Sequence, residues 1–184
     1  MNEQHLQVAI DAAKAGAVEL MSRRDNRVVQ EKAPRDLVTD ADLASQKAIR
    51  KILLQKYPDY VFVGEEDGEN NPPDAVRRGD SSAPPCWVVD PLDGTVNYVH
   101  QLQSFAVSIG LYARGKMRLG VVYDPVTEEL FSGIDGAGAT CNGQPINVSD
   151  CSDLNDSLVA CSFPAGVRGG DPEVLRFVRI LEQC

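Results

Sequence analysis

The chain has 184 residues, 43% hydrophobic and 24% charged, which is enough apolar material for a sizeable core and excludes disorder over most of its length. Eighteen Lys plus Arg against 27 Asp plus Glu leave a net charge of −9 with no basic stripe and few aromatics, so nucleic acid is not expected as a partner and a cation is. Five scattered cysteines (Cys86, Cys141, Cys151, Cys161, Cys184) match neither a disulfide framework nor zinc spacing, no apolar run is long enough for a membrane span, and Met1 to His5 lack the order of a signal peptide. The expectation is a cytoplasmic protein with reduced thiols and no membrane contact.

Leu6, Ile10, Ala13, Ala17, Leu20 and Met21 recur at three-and-four spacing and predict an amphipathic helix over 3–22. A polar connection, "RRDNRVVQEKAPRD", follows with room for a short strand at Val28-Val29. The second helix runs from near Thr39 to about Tyr57, with Ala41, Ala44, Ala48, Ile49, Ile52 and Leu53 on its apolar side and Pro58 as its stop.

Beyond residue 60 the period changes. Tyr60 to Val63, Trp87 to Val89, Phe105 to Tyr112, Lys116 to Tyr123 and Glu129 to Ile134 are short, rich in β-branched and aromatic residues, and bounded by turns, so they predict strands. Arg114-Gly115, Asp124-Pro125, Asp135-Gly136 and Asn142-Gly143 are turn signals that make 105–134 an antiparallel meander. The stretch 67–85 is rich in Pro, Gly and charge and predicts an exposed loop. After Ser149 the pattern gives a strand over Ser157 to Cys161, a loop, and a helix from Asp171-Pro172 carrying Val174, Leu175, Val178 and Leu181. The fold class expected is α+β, a layered α-β sandwich with two N-terminal helices on an antiparallel sheet. Its N-terminal domain spans 1–149, and 150–184 begins a second α/β domain that looks incomplete.

Acidic residues gather where elements begin and end. Asp90 and Asp93 follow the strand 87–89, Glu65 and Glu66 follow the strand 61–63 through Gly64, and Asp36, Asp40 and Asp42 crowd the start of the second helix. Converging carboxylates repel one another, and a hard divalent cation with oxygen ligands offsets that repulsion, so magnesium is the first choice. In Asp90-Pro91-Leu92-Asp93-Gly94-Thr95 the proline stiffens the turn and brings both carboxylates and the Leu92 carbonyl toward one centre. Gly94 lets the backbone approach a ligand, and Thr95 opens a short helix whose free N–H groups suit a phosphate.

Each of these features has a plain structural counterpart. Asp-Pro and Asp-Gly are ordinary turn pairs, and Gly64-Glu65-Glu66 taken alone is an exposed acidic loop. Thr39-x-x-Asp42 has the form of a capping box, yet Asp42 also lies on the inward side of its helix, where it can orient a water; the two readings stand level. His5 and His100 share no metal spacing, and the chain contains neither a phosphate-binding Gly-x-x-x-x-Gly-Lys-Ser/Thr loop nor a Gly-x-Ser-x-Gly elbow.

"WVVDPLDGTVNYVH" with "FAVSIGLY", and "GEED" upstream, closely resembles the inositol monophosphatase family of magnesium-dependent, lithium-sensitive phosphatases. "DLVTDAD" at Asp36 to Asp42, "GVVYDP" and "GAGATCNGQPINVS" extend the resemblance, which runs from the first helix to Cys184. It implies that Glu65, Asp90, Asp93 and the Leu92 carbonyl hold two or three magnesium ions, with Asp90 bridging two of them. It further implies that Asp93, Gly94 and Thr95 meet the substrate phosphate, and that Thr95 and Asp42 polarise the water that attacks phosphorus in line. Members of the family carry another metal-ligand aspartate in a Trp-Asp segment of their second half, which this sequence does not reach, so the second ion is expected to lack a carboxylate and the unfinished half to expose apolar surface.

The function expected is hydrolysis of a small phosphorylated polyol, myo-inositol monophosphate foremost, and the resemblance implies a homodimer. The alternatives are another phosphatase of the superfamily, acting on a nucleotide 3′-phosphate, fructose bisphosphate or histidinol phosphate, or a non-catalytic module that binds metal or phosphate.

Overall fold

A computed structural model describes residues 2–33, 36–67, 74–163 and 166–182, without the side chains of 30–37, 75 and 77. The stretch 68–73 of the expected loop, the Asp36 side chain and Cys184 lie outside the described residues.

Two helices form the first layer of the larger unit. Helix α1 (Glu3–Arg23) is capped by Asn2, whose side chain accepts from the His5 N–H, and it buries Ala9, Ala12, Ala13, Gly16, Ala17 and Leu20. Strands β1 (Val29–Ala33) and β2 (Asp36–Thr39) make a two-stranded sheet where one strand at Val28-Val29 was expected. Helix α2 (Asp40–Lys56) starts at a full capping box, Thr39 with Asp42, and buries Ala41, Asp42, Ser45, Gln46, Ile49 and Leu53.

The second layer is a seven-stranded sheet whose spatial order follows the chain: β3 (Val61–Gly64), β4 (Cys86–Asp93), β5 (Ala106–Ala113), β6 (Lys116–Asp124), β7 (Glu129–Ile134), β8 (Gly138–Cys141) and β9 (Gln144–Ile146). Alternate residues of β5 are buried, Val107, Ile109, Leu111 and Ala113. With Trp87, Val89 and Leu92 of β4 and Leu119 and Val121 of β6, Val107, Ile109 and Leu111 pack against the small residues of α1 and Ile49 and Leu53 of α2 in one core. The meander over 105–134 is present as expected, and Arg114-Gly115 and Asn142-Gly143 take the paired positive φ of tight hairpins.

Three expectations are corrected. The sheet is mixed rather than antiparallel, because β3 runs parallel to β4 through a crossover that carries the short helix α3 (Asp74–Arg77). Strand β4 does not stop at Val89: it continues to Asp93 with one extra residue, since Asp90 pairs with Ser108 and Asp93 with Ala106. Pro91 in that bulge has no N–H to give the ladder, which is why a continuous strand reads as a turn in sequence. The segment Ser157 to Cys161, expected as a strand, is exposed and has no ladder partner among the described residues.

By compactness the chain divides into Met1–Gln30 with Leu37–Ile146, and Glu31–Asp36 with Asn147–Cys184. The smaller unit carries a 3₁₀ turn at Leu154–Asp156 and a helix over Pro172–Leu181, with Phe163 edge-on to Phe177 at 5.5 Å. Leu175, Val178 and Leu181 of that helix are exposed.

Candidate active site

The parallel ladder builds the site. Val61, Phe62, Val63 and Gly64 pair with Cys86, Trp87, Val88 and Val89, so the next residues, Glu65 just past the end of β3 and Asp90 inside β4, arrive side by side. Their carboxyl groups share a hydrogen bond, and Asp90 Oδ1 accepts from the Leu92 N–H at 3.1 Å. Burial, then the charge of Glu65 and the bond with it, then the charge of Asp93, push the Asp90 carboxyl up to about 7, while the Leu92 N–H pulls the other way. Asp93, three residues on, is exposed.

Glycine is required after Asp93. Gly94 has φ +93°, and a Cβ there would stand 3.0 Å from the Ser104 carbonyl and 3.3 Å from Phe105. That turn starts the short helix α4 (Thr95–Val99), which is moored from behind by Tyr98, whose hydroxyl donates to the Leu20 carbonyl at 2.7 Å. Arg27 donates to the Val99 carbonyl and Arg24 to those of Gln101 and Leu102, so the segment just after α1 holds the end of α4 and the loop that follows.

Thr95 meets Asp42 across the two layers. Its hydroxyl lies 3.3 Å from Asp42 Oδ1 and 3.1 Å from the Leu92 carbonyl. The other oxygen of Asp42 accepts the Thr39 N–H at 2.8 Å and the Thr39 hydroxyl at 2.5 Å. Asp42 is 1% exposed; burial raises its pKa and the Thr39 and Thr95 bonds oppose that rise. The capping reading of Asp42 holds: one oxygen caps the helix, while the other faces Thr95. Asp40 takes no part, since its side chain accepts from the Val28 N–H at 2.7 Å and lies 3.7 Å from Arg23.

The structure thus brings together Glu65 with Asp90 and Asp42 with Thr95 and the Leu92 carbonyl. Among the described residues no three His, Cys, Asp or Glu side chains converge as a metal's ligand set; the side-chain convergence is a contacting pair with Asp93 beyond it. Burial first, and then the neighbouring Glu65, raise Asp90 to about 7, and a cation among these oxygens would offset both. The donors present, carboxylate and carbonyl oxygens, fit a hard divalent cation such as magnesium.

Sequence reading missed the supports. Ser45, wholly buried, donates to the Pro91 carbonyl at 2.9 Å and ties the bulge of β4 to α2. Gln46 and Arg50, one turn apart on α2, both reach Asp67. The only signal was that their i, i+4 spacing puts them on one face; their partner, 17 to 21 residues on, could not be read from it.

A family model described as "Inositol monophosphatase family" matches residues 1–176. Inositol monophosphatase 3 of Solanum lycopersicum is 43% identical over 159 residues, 86% of this chain and 58% of that protein. Nus factor SuhB of Pasteurella multocida (strain Pm70) is 40% identical over 162 residues, 86% of this chain and 58% of that protein. The crystal structure of extragenic suppressor protein suhB from Bartonella henselae superimposes with a TM-score of 0.82 and 30% identity, covering 96% of this chain and 66% of that one. The chain spans 58% of the length of the two curated relatives.

Proposed function

Because the chain belongs to the inositol monophosphatase family, we propose that it hydrolyses a small phosphate monoester, with myo-inositol monophosphate as the first substrate to test. Magnesium ions would be held by Glu65, Asp90, Asp93 and the Leu92 carbonyl, and when bound they would supply Lewis-acid polarisation and neutralise phosphate charge. The cytoplasm and a homodimeric assembly complete the reading.

The observation that carries it is the pairing of two registers: the parallel ladder that lays Glu65 against Asp90, and the Thr95–Asp42 contact that stands beside the Leu92 carbonyl. The chain's own residues then have separable tasks. Gly94 lets the chain turn after Asp93 against Ser104 and Phe105, where a side chain collides, and so sets the start of α4 that would meet the phosphate. The Thr95 hydroxyl accepts a hydrogen bond from the attacking water while donating its own proton to Asp42 Oδ1, which orients the water without ionising Thr95. Asp42 keeps its orientation because its second oxygen is fixed by two bonds from Thr39.

Phosphate release from inositol 1-phosphate tests the reading, with and without magnesium and with lithium added. Turnover that requires magnesium, falls with lithium, and drops roughly 100-fold or more in Asp90→Asn is the expected result. A second reading, a module that binds magnesium or phosphate without turnover, is favoured by the pairwise rather than threefold meeting of acids among the described residues. Magnesium binding with no phosphate release would establish that module and reject the enzyme; magnesium-dependent turnover does the reverse.

A further inference from the structure

We propose that Gln46, with Asp67 and Arg50, is a positioning clamp that sets the Glu65 carboxylate against Asp90 and so fixes the affinity of the site for a divalent cation. The inference rests on the magnesium reading above and goes beyond it, because none of the three residues is among the proposed ligands.

Glu65 opens a 3₁₀ turn, Glu65–Asp67, and its side chain is exposed, so apart from its bond with Asp90 its carboxylate is placed by the backbone that carries it. Its backbone is held on both sides instead. The Glu66 N–H donates to Gln46 Oε1 at 3.1 Å, and the Gly64 N–H donates to Asp67 Oδ2 at 3.0 Å. Gln46 Nε2 donates to Asp67 Oδ1 at 3.0 Å, which closes the two restraints into one ring of bonds. Arg50 pairs with the same Asp67 carboxylate, and its guanidinium lies over the Phe62 ring at 4.2 Å, so the clamp is anchored to both α2 and β3.

The chemistry selects an amide at position 46. It must accept from Glu66 N and donate to Asp67 at once, which glutamine does and a carboxylate does not; a glutamate there would face Asp67 as a like charge. The fit is close: Gln46 is 7% exposed, and a Cβ on Gly64 would stand 2.1 Å from Gln46 Oε1. Residues that orient ligands from behind commonly govern metal affinity by one to two orders of magnitude.

Magnesium titration by calorimetry on the full chain tests this, alongside thermal melting in EDTA. Gln46→Ala is expected to weaken magnesium binding about tenfold or more while remaining folded in EDTA. Gln46→Glu is expected to weaken it too. The double variant Gln46→Glu/Asp67→Asn exchanges amide and carboxylate, restores a donor opposite an acceptor between positions 46 and 67, moves the negative charge to the position four residues before Arg50, and is expected to bind magnesium more tightly than Gln46→Glu. A merely structural tether would move the melting temperature and not this pattern; should Gln46→Ala fail to fold, the Gln46→Glu and exchange variants carry the test.

Unchanged affinity in Gln46→Ala, or an exchange variant no better than Gln46→Glu, overturns the clamp provided the parent binds magnesium and Asp90→Asn does not. A parent chain that binds no magnesium overturns the magnesium reading itself and this inference with it.

Discussion

At the scale of single residues, the site is made by environment more than by identity. Asp90 and Asp93 belong to the same hexapeptide, yet Asp90 is raised to about 7 by burial and Glu65, while Asp93 is exposed. A carboxyl raised in the folded state binds its proton more tightly there than in the unfolded chain, so it contributes stability at low pH that is lost as pH rises from about 4 through about 7. His5 works in the opposite sense: burial lowers its pKa below 6.5, so acidification below that value removes stability. The difference between parent and Asp90→Asn separates the two. In EDTA, the parent should lose stability relative to Asp90→Asn as pH rises from about 4 through about 7, read as a widening gap in melting temperature; a constant gap over that range would reject the raised Asp90. Saturating magnesium should reverse the trend for the parent alone.

At the scale of elements, α1 lies close to α2 because alanine and glycine line their contact. A Cβ at Gly16 would stand 2.7 Å from both Ile49 Cδ1 and Ser45 Oγ, and Ser45 is the residue that holds the Pro91 carbonyl. Gly16→Val should therefore destabilise the chain by about 1–3 kcal/mol in urea unfolding and should also reduce magnesium affinity through the bulge of β4. Gly169→Ala, with nothing within 4 Å of the added Cβ, is the control and should change stability by less than about 0.5 kcal/mol. Equal effects of the two substitutions would reject the close packing of the helices.

At the scale of the whole chain, the two compact units differ in kind. The larger buries a core of α1, α2 and the sheet, with Trp87, Tyr98 and Leu111 fully enclosed. In the smaller, residues 147–163 are exposed throughout, Leu158 completely so. Backbone with few buried contacts opens at low free energy, so brief digestion with chymotrypsin should cut first after Leu158 or Phe163 and leave a resistant fragment containing Tyr98 and Phe105. First cleavage at Tyr98 or Phe105 would contradict that division. The sequence pattern that made 157–161 look like a strand explains the contrast: Leu158 and Val159 have the residue types of a strand, but no ladder partner among the described residues uses them.

The sequence by itself determined the helices, the meander and the acids, because these rest on local rules: three-and-four apolar spacing, turn dipeptides and a capping box. It also marked Asp42, Glu65, Asp90, Leu92, Asp93, Gly94 and Thr95 as candidates through a resemblance over those segments. What only the tertiary structure decided is which of them meet. Glu65 reaches Asp90 through a parallel register set 25 residues apart in the ladder Val61↔Cys86, and Thr95 reaches Asp42 only because α2 packs on β4. Gln46, Arg50 and Asp67 escaped notice for the same reason: a hydrogen bond between distant segments leaves no local pattern, and its partners become visible only when helix and strand end are laid together.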